Sequence, residues 1–254
     1  MPLSSYSKIG ASSALRAGRE SLFGKARLWE DARFIIAEVL LDEEEVKRIL
    51  PFGLCSQEPA SGFLFISNYT KTNFTVPYKE TALLVKVRTL LGKGVHCCWM
   101  LVDDDTALIY GRELLGYPKK MAEISFEERD NYVSASVVRR GIKVLSMEGE
   151  KGEKQNPAPP VFGYKTFNVG GPGQLFIINP IWLIRPREII KESYSAKVSI
   201  KISPSDYDPI FKLVKGDVVR GRFVVLDIPG TYYNFPVGIA GLWHFARTFF
   251  MRFR

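Results

Sequence analysis

The sequence predicts a mainly β protein, a closed antiparallel β-barrel or sandwich with short peripheral helices. Two observations predict it. Short apolar or alternating runs rich in Val, Ile, Phe and Tyr recur along most of the chain, and turn-forming residues separate them. The strand–helix alternation of a parallel α/β protein is missing, and no internal repeat is present.

The elements follow in order. Residues 1–28 are rich in Ser, Ala, Gly, Arg and Lys and read as a loosely ordered arm. A β domain is predicted over 29–230 and an aromatic, basic tail, helical in character, over 231–254. Residues 33–41 are the first strand. Asp42 then caps a short helix, with Glu43, Glu44 and Glu45 at its positive end, Lys47 and Arg48 in its last turn, and Pro51 as its stop. Strands are predicted over 62–67 and 78–91, with a loop or bulged continuation over 68–73. A turn at Gly92-Lys93-Gly94 leads to 95–102, an apolar run suited to a strand buried on both faces. Asp103-Asp104-Asp105 reads as a solvated hairpin turn, since it lacks the spaced ligands and glycine of a calcium loop. Residues 106–110 lead onward from it.

Further strands are predicted over 121–127, 132–139, 143–148, 161–169, 175–185, 193–202 and 218–228. The turns among them are 128–131 and Arg140-Gly141, and 151–160 is a Pro-rich loop. Residues 208–214 suit a short helix. Gly170-Gly171-Pro172-Gly173 does not open a helix, which argues against a phosphate loop. In the tail, residues 242–254 interleave aromatics with Arg247, Arg252 and Arg254. Packing of these aromatics on the β domain or a sister subunit is the favoured reading; the alternative is a peripheral contact with anionic membrane.

Composition excludes several classes. The net charge of +8 is spread along the chain with no nucleic-acid module, so a small anionic partner is expected rather than nucleic acid. The three cysteines, Cys55, Cys97 and Cys98, make a poor disulfide framework and suggest a reducing, cytoplasmic setting. No uncharged apolar run reaches membrane-spanning length, and no signal-peptide core is present. His96 and His244 are the only histidines, and no metal-ligand spacing accompanies them, so no metal is expected.

The chemistry concentrates in Gly111-Arg112-Glu113-Leu114-Leu115-Gly116-Tyr117-Pro118-Lys119-Lys120. Pro118 stiffens the entry to an adjacent lysine pair. Such a pair is ordinarily solvated surface charge. Its chemical alternative is an amine nucleophile, which forms Schiff bases with ketones only when neutral. An unperturbed lysine, with pKa about 10.4, is almost wholly charged at neutral pH. Burial or a neighbouring cation can lower that value. If the pair lies in a strand, Lys119 and Lys120 point to opposite faces and desolvation is the larger effect.

This string, Gly-Arg-Glu-Leu followed by Tyr-Pro-Lys-Lys, resembles the signature of the acetoacetate decarboxylase family, itself the standing example of a lysine activated by its surroundings. The resemblance extends from Tyr78 to Lys120 and more weakly to about Ile228. It implies the family's barrel-type β fold, Lys119 as the Schiff-base lysine, Lys120 as its partner, Glu80 as an active-site glutamate and Tyr117 as the aromatic before the proline. It also marks two departures. Where the family has Arg-Glu on its first strand, this chain has Ala32-Arg33, and Phe65 stands where a second glutamate is expected. Arg33, Phe65, Tyr117 and Met100 are accordingly the expected substrate-binding residues. The function implied is Schiff-base decarboxylation of a small β-keto acid by a homo-oligomer, with no metal or organic cofactor. The alternatives are a Schiff-base aldolase or dehydratase and a non-catalytic barrel that binds a small ligand.

Overall fold

The computed structural model describes residues 27–156, 158–162, 165–175 and 178–254, so the expected N-terminal arm lies outside the described residues up to residue 26. The first strand, β1 (Trp29–Leu41), sends Phe34 and Ile36 into one buried cluster and Ile35, Ala37 and Val39 into another, as its period of two dictates. Asp42 caps α1 (Glu43–Ile49) as predicted, accepting from the N–H groups of Glu44 and Glu45 at 3.1 and 3.0 Å. Next come β2 (Cys55–Ser56), β3 (Ser61–Tyr69), β4 (Lys71–Thr72), β5 (Tyr78–Thr89) and β6 (Gly92–Val102). Most of the polar stretch 68–73 is therefore strand. The turn between β5 and β6 falls on exposed Leu90 and Leu91, just before the predicted glycines, and Gly92 leaves it with a φ of 99°.

Residues 103–110 depart most from expectation. No hairpin forms there, because Asp104 is the N-cap of α2 (Asp105–Leu115). Its Oδ1 accepts the Ala107 N–H at 2.8 Å and the Thr75 hydroxyl at 2.9 Å. Asp103 accepts the Lys79 N–H at 2.6 Å. Asp103 and Asp104 are thus taken up by backbone and side-chain donors of this fold, and α2 inserts between β6 and β7 (Lys119–Met121). Such a crossover lets β7 pair parallel with β6.

The remaining strands are β8 (Glu123–Arg129), β9 (Tyr132–Arg139), β10 (Ile142–Lys154), β11 (Thr166–Val169), β12 (Asn179–Ile202) and β13 (Val214–Ala240), with α3 (Ile210–Leu213) before the last strand and α4 (Leu242–Arg252) after it. The turns at Asp130 and Arg140 are where they were predicted, both with left-handed φ, of 50° and 51°. β10 continues into the predicted Pro-rich loop. Val161 and Phe162 lie outside β11. β12 is one long strand where two, over 175–185 and 193–202, were expected, and β13 runs on past the expected strand 218–228 through residues 231–240, which were expected to begin the helical tail. Their shared ladder absorbs the polar and proline interruptions through register shifts, for example between Arg185 and Pro186.

Among the described residues the strands form one sheet in the order β11-β6-β5-β3-β1-β13-β12-β10-β9-β8. β11 also pairs with β12, so seven strands form a closed circuit. Pairing is antiparallel except for β11–β6 and β6–β7. One face of the circuit buries Phe34, Phe65, Leu84, Met100 and Leu226. The other buries Ile35, Leu64, Leu83, Trp99 and Leu101, with side chains of β8–β10 packed on it. No helix of the described residues is long and apolar enough to cross a membrane. α4 packs through His244, Thr248, Met251 and Arg252, while Trp243, Phe249 and Phe250 are exposed, so these three aromatics do not pack on the β domain of their own chain as expected.

Because Asp104 satisfies two donors at the start of α2, Asp104→Ala should lower stability by about 1–2 kcal/mol. A shift of the urea midpoint with an unchanged slope would show it. Equal stability of the variant would mean that the cap contributes nothing.

Candidate active site

Strand parity separates the two lysines. In the parallel pairing of β6 with β7, Lys119 lies beside Met100 and Lys120 beside Leu101. Met100 belongs to one buried face and Leu101 to the other. Neighbours across a ladder share a face, so Lys119 and Lys120 diverge. Both are buried.

Lys119 enters a cavity of about 300 Å³. Its Nζ is 2.5 Å from Oε2 of Glu80 and 5.6 Å from the ring centre of Tyr78. Glu80 lies on β5, whose face is shared with Tyr78, Ala82 and Leu84. Its other oxygen, Oε1, accepts the Tyr69 hydroxyl at 3.2 Å. Tyr69 stacks on Tyr78 at 4.6 Å, and the Tyr78 hydroxyl accepts the Trp29 indole N–H at 2.8 Å. Apart from Thr231 the walls are otherwise apolar or aromatic, and include Phe74, Tyr110, Leu114, Phe162, Ile184 and Ile228. Lys119 and Glu80 are the charged residues among the described residues lining it.

The motif around Lys119 builds this position. Arg112 Nη1 donates to the Lys119 carbonyl at 2.9 Å and also to the Arg252 carbonyl at 2.9 Å, joining α2, β7 and α4. Gly111 lies in α2 directly against the lysine stem. A Cβ there would stand 2.4 Å from Lys119 Cε and 2.6 Å from Cδ. Gly116 ends α2 in the left-handed region, φ 67°, and packs against Gly170, where a Cβ would meet backbone at 3.0 Å. Gly170 and Gly171 therefore serve close packing. Tyr117 also lines the cavity, and burial pushes its phenol well above the usual range.

Several expected site residues lie elsewhere. Lys120 pairs with Asp208 at 2.6 Å and donates to the carbonyls of Tyr207 and Phe250 at 3.1 and 3.0 Å. Burial lowers its pKa to about 8. Asp208 in turn accepts from Trp99 at 2.8 Å and Arg139 at 2.9 Å. Lys120 thus ties β7 to residues 207–208 and α4, away from the cavity. Arg33 faces away as well, paired with Glu128 at 2.5 Å, because Ala32 and Phe34 take the cavity face of β1. Phe65 and Met100 share that face but do not line the cavity. Phe65 backs the wall through Phe162, whose ring centre is 5.8 Å away. The cavity residues missed in the sequence are chiefly Trp29, Tyr69, Phe74, Tyr110 and Phe162. A glycine inside a helical pattern was the available signal for Gly111.

Phe162 is held by Glu188 of β12, which accepts the N–H groups of Val161 at 2.7 Å and Phe162 at 3.1 Å. Burial raises this carboxyl to about 7.

A family model described as Acetoacetate decarboxylase (ADC) matches residues 13–233. The chain belongs to the acetoacetate decarboxylase family. An acetoacetate decarboxylase of Burkholderia multivorans is 25% identical over 209 residues, covering 78% of this chain and 83% of that protein. One from Burkholderia vietnamiensis is 23% identical over the same shares. The fold is similar to that of acetoacetate decarboxylase from Legionella pneumophila, with a TM-score of 0.73 and 17% identity over 84% of this chain and 88% of that one. It is also similar to an enduracididine biosynthesis enzyme, MppR, solved with pyruvate, with a TM-score of 0.70 and 10% identity over 82% and 89%. Family membership makes an enzymatic role the expectation for this chain, while the structural likenesses bear on fold alone.

Two outcomes follow from this geometry. Gly111→Ala should fold but displace Lys119, so that covalent capture of a ketone at Lys119 slows by about tenfold or more. Capture at the wild-type rate would mean the stem has room to spare. For Glu188, the folded pKa stands above the usual 4.5. Its contribution to stability is present below about 4.5 and is lost as pH rises to about 7, since the folded state then holds the extra proton. Glu188→Gln should flatten the fall in stability across that window, measured by denaturant titration at several pH values. An unchanged slope would assign the fall to other groups.

Proposed function

We propose that this chain is a lysine Schiff-base lyase that decarboxylates a β-keto acid bearing a bulky alkyl or aryl group. The observation that supports it best is the 2.5 Å approach of Lys119 Nζ to Glu80 inside an otherwise apolar cavity. In this reading Glu80 takes a proton from the Lys119 ammonium, and the neutral amine attacks the ketone carbon. Glu80 returns the proton to the departing hydroxyl, and water leaves as the iminium forms. The bond to the carboxylate then breaks, its electron pair passing to the iminium nitrogen to give an enamine and CO₂. Protonation of the enamine carbon restores an iminium, and hydrolysis releases the ketone and the lysine.

The lining supports a particular substrate. Arg33 is turned to Glu128, and Ala32 and Phe65 are apolar on the cavity face. A substrate carboxylate would meet Glu80 and an aromatic wall, with no cation but Lys119 among the described lining residues. That environment disfavours the carboxylate and favours its loss as neutral CO₂. An alkyl or aryl group would gain about 25 cal/mol per Å² buried against Trp29, Phe74 and Phe162.

A second reading has one specific support. The same enamine can attack an aldehyde, and a structural neighbour, MppR, was solved with the condensation product of pyruvate and imidazole 4-carboxaldehyde. Aldol-type condensation or dehydration is the alternative, and release of CO₂ separates the two.

Incubation with a 3-keto acid and borohydride should add the reduced adduct at Lys119 and not at Lys120. Lys119→Ala should lose turnover by several orders of magnitude. Adduct on Lys120, or turnover in Lys119→Ala, refutes the nucleophile, and a ligand that binds with no adduct points to a binding protein. A comparison of kcat/KM for acetoacetate and a longer-chain or aryl 3-keto acid should favour the larger compound by about tenfold or more, from one or two buried methylenes or a ring. A clear preference for acetoacetate would show the cavity lining has been misread.

A further inference from the structure

α4 is amphipathic in the reverse sense. The face it turns to the rest of the protein carries His244, Thr248 and Arg252 beside Met251. Arg252 donates to the Val169 carbonyl from there, and Thr248 bonds to the His244 carbonyl at 2.8 Å. Its outward face carries Leu242, Trp243, Phe249 and Phe250, with Trp243 76% exposed. At about 100° per residue, those four fall within a sector of about 120°. Ile239, at the end of β13, is 66% exposed, and Phe253, after the helix, adds an edge to Phe249 at 5.7 Å. Burial normally puts the apolar side of a helix inward, so an apolar face this large turned outward marks a binding surface.

The charges beside it identify the partner. Arg247 lies next to the aromatic sector, and the Arg254 guanidinium sits over the rings of Phe250 at 5.2 Å and Tyr207 at 5.4 Å. Exposed Arg140 joins them over Tyr207 at 4.5 Å. No Asp or Glu follows Asp227 in the sequence. Of the two acids flanking Tyr207, Asp208 is buried and paired with Lys120 and Arg139, which leaves Asp206 as the exposed one. Exposed Trp and Phe bordered by arginines, with no acid on the helix, are the chemistry of an anionic lipid–water boundary. The rings enter the acyl edge and the guanidiniums meet phosphate.

We propose that the outward face of α4 docks the protein on the surface of an anionic phospholipid bilayer. α2 connects this face to the cavity: Arg112 holds the end of α4, and Leu114, one helix position beyond Glu113, lines the cavity. The proposal stands independently of the reaction.

The test is co-sedimentation of the full chain with vesicles of phosphatidylcholine alone and of phosphatidylcholine mixed with phosphatidylglycerol. Binding to the mixed vesicles should be strong, weaken at high salt, and be accompanied by a blue shift of Trp fluorescence that Trp243→Phe removes. Phe249→Ser with Phe250→Ser should weaken binding by about tenfold or more. Arg247→Glu, a surface change that leaves the aromatics in place, should weaken binding to mixed vesicles in a protein that keeps its fold. Absence of the protein from every vesicle pellet overturns the proposal. So does a soluble oligomer that the double serine variant dissociates while neither form binds lipid, since the face would then belong to a second copy of the chain.

Discussion

The buried pair of Lys119 and Glu80 is the constraint from which the rest of the site follows. Removing two charges from water costs several kcal/mol for each, and only close contact and further hydrogen bonds offset it. The structure supplies both. β5 and β7 flank β6 and place the two side chains on one face, and the Tyr69 hydroxyl takes the second oxygen of Glu80. Arg112 secures the backbone of Lys119 through its carbonyl, and Gly111 leaves the volume that the lysine stem fills. The motif residues that a sequence comparison would regard as a signature are thus the supports of one ion pair.

The same three-residue strand carries a second buried network on its other face. Lys120 and Arg139 share Asp208, and Trp99 completes the carboxylate's partners. This network neutralises Lys120 where it stands and joins β7 to α4. It does not reach the cavity, so adjacency in sequence does not make the two lysines electrostatic neighbours in one pocket. Their separation rests on the alternation of a strand. A slip of one residue would bring Lys120 to the cavity and send Lys119 to Asp208.

The apolar lining and the position of Arg33 are related in the same way. On β1, Ala32 and Phe34 face the cavity and Arg33 faces Glu128. The first strand therefore lends no cation to a bound acid. The wall that replaces it is aromatic and assembled from distant segments, with Phe162 brought in by the two hydrogen bonds to Glu188. Glu188 was not legible as a wall-positioning residue, because its partners are backbone groups 26 and 27 residues away.

Much was determined by the sequence alone. The recurrent β runs, the Asp42 cap, the turns at Asp130 and Arg140, and the naming of Glu80 and Lys119 as candidate site residues through the family signature could all be read from local pattern or motif. These depend on backbone chemistry within a few residues, or on a string specific enough to stand out. The tertiary structure decided the rest. Asp103-Asp104-Asp105 could begin a helix or close a hairpin, and the partners Lys79 and Thr75 selected the helix. β12 and β13 run through prolines and charges that locally read as breaks, because each has the other as a continuous ladder partner. The faces of Arg33, Lys120 and the aromatics of α4 were undetermined for the same reason. A side chain's direction follows strand register and helix docking, and both are set by residues far away in the chain.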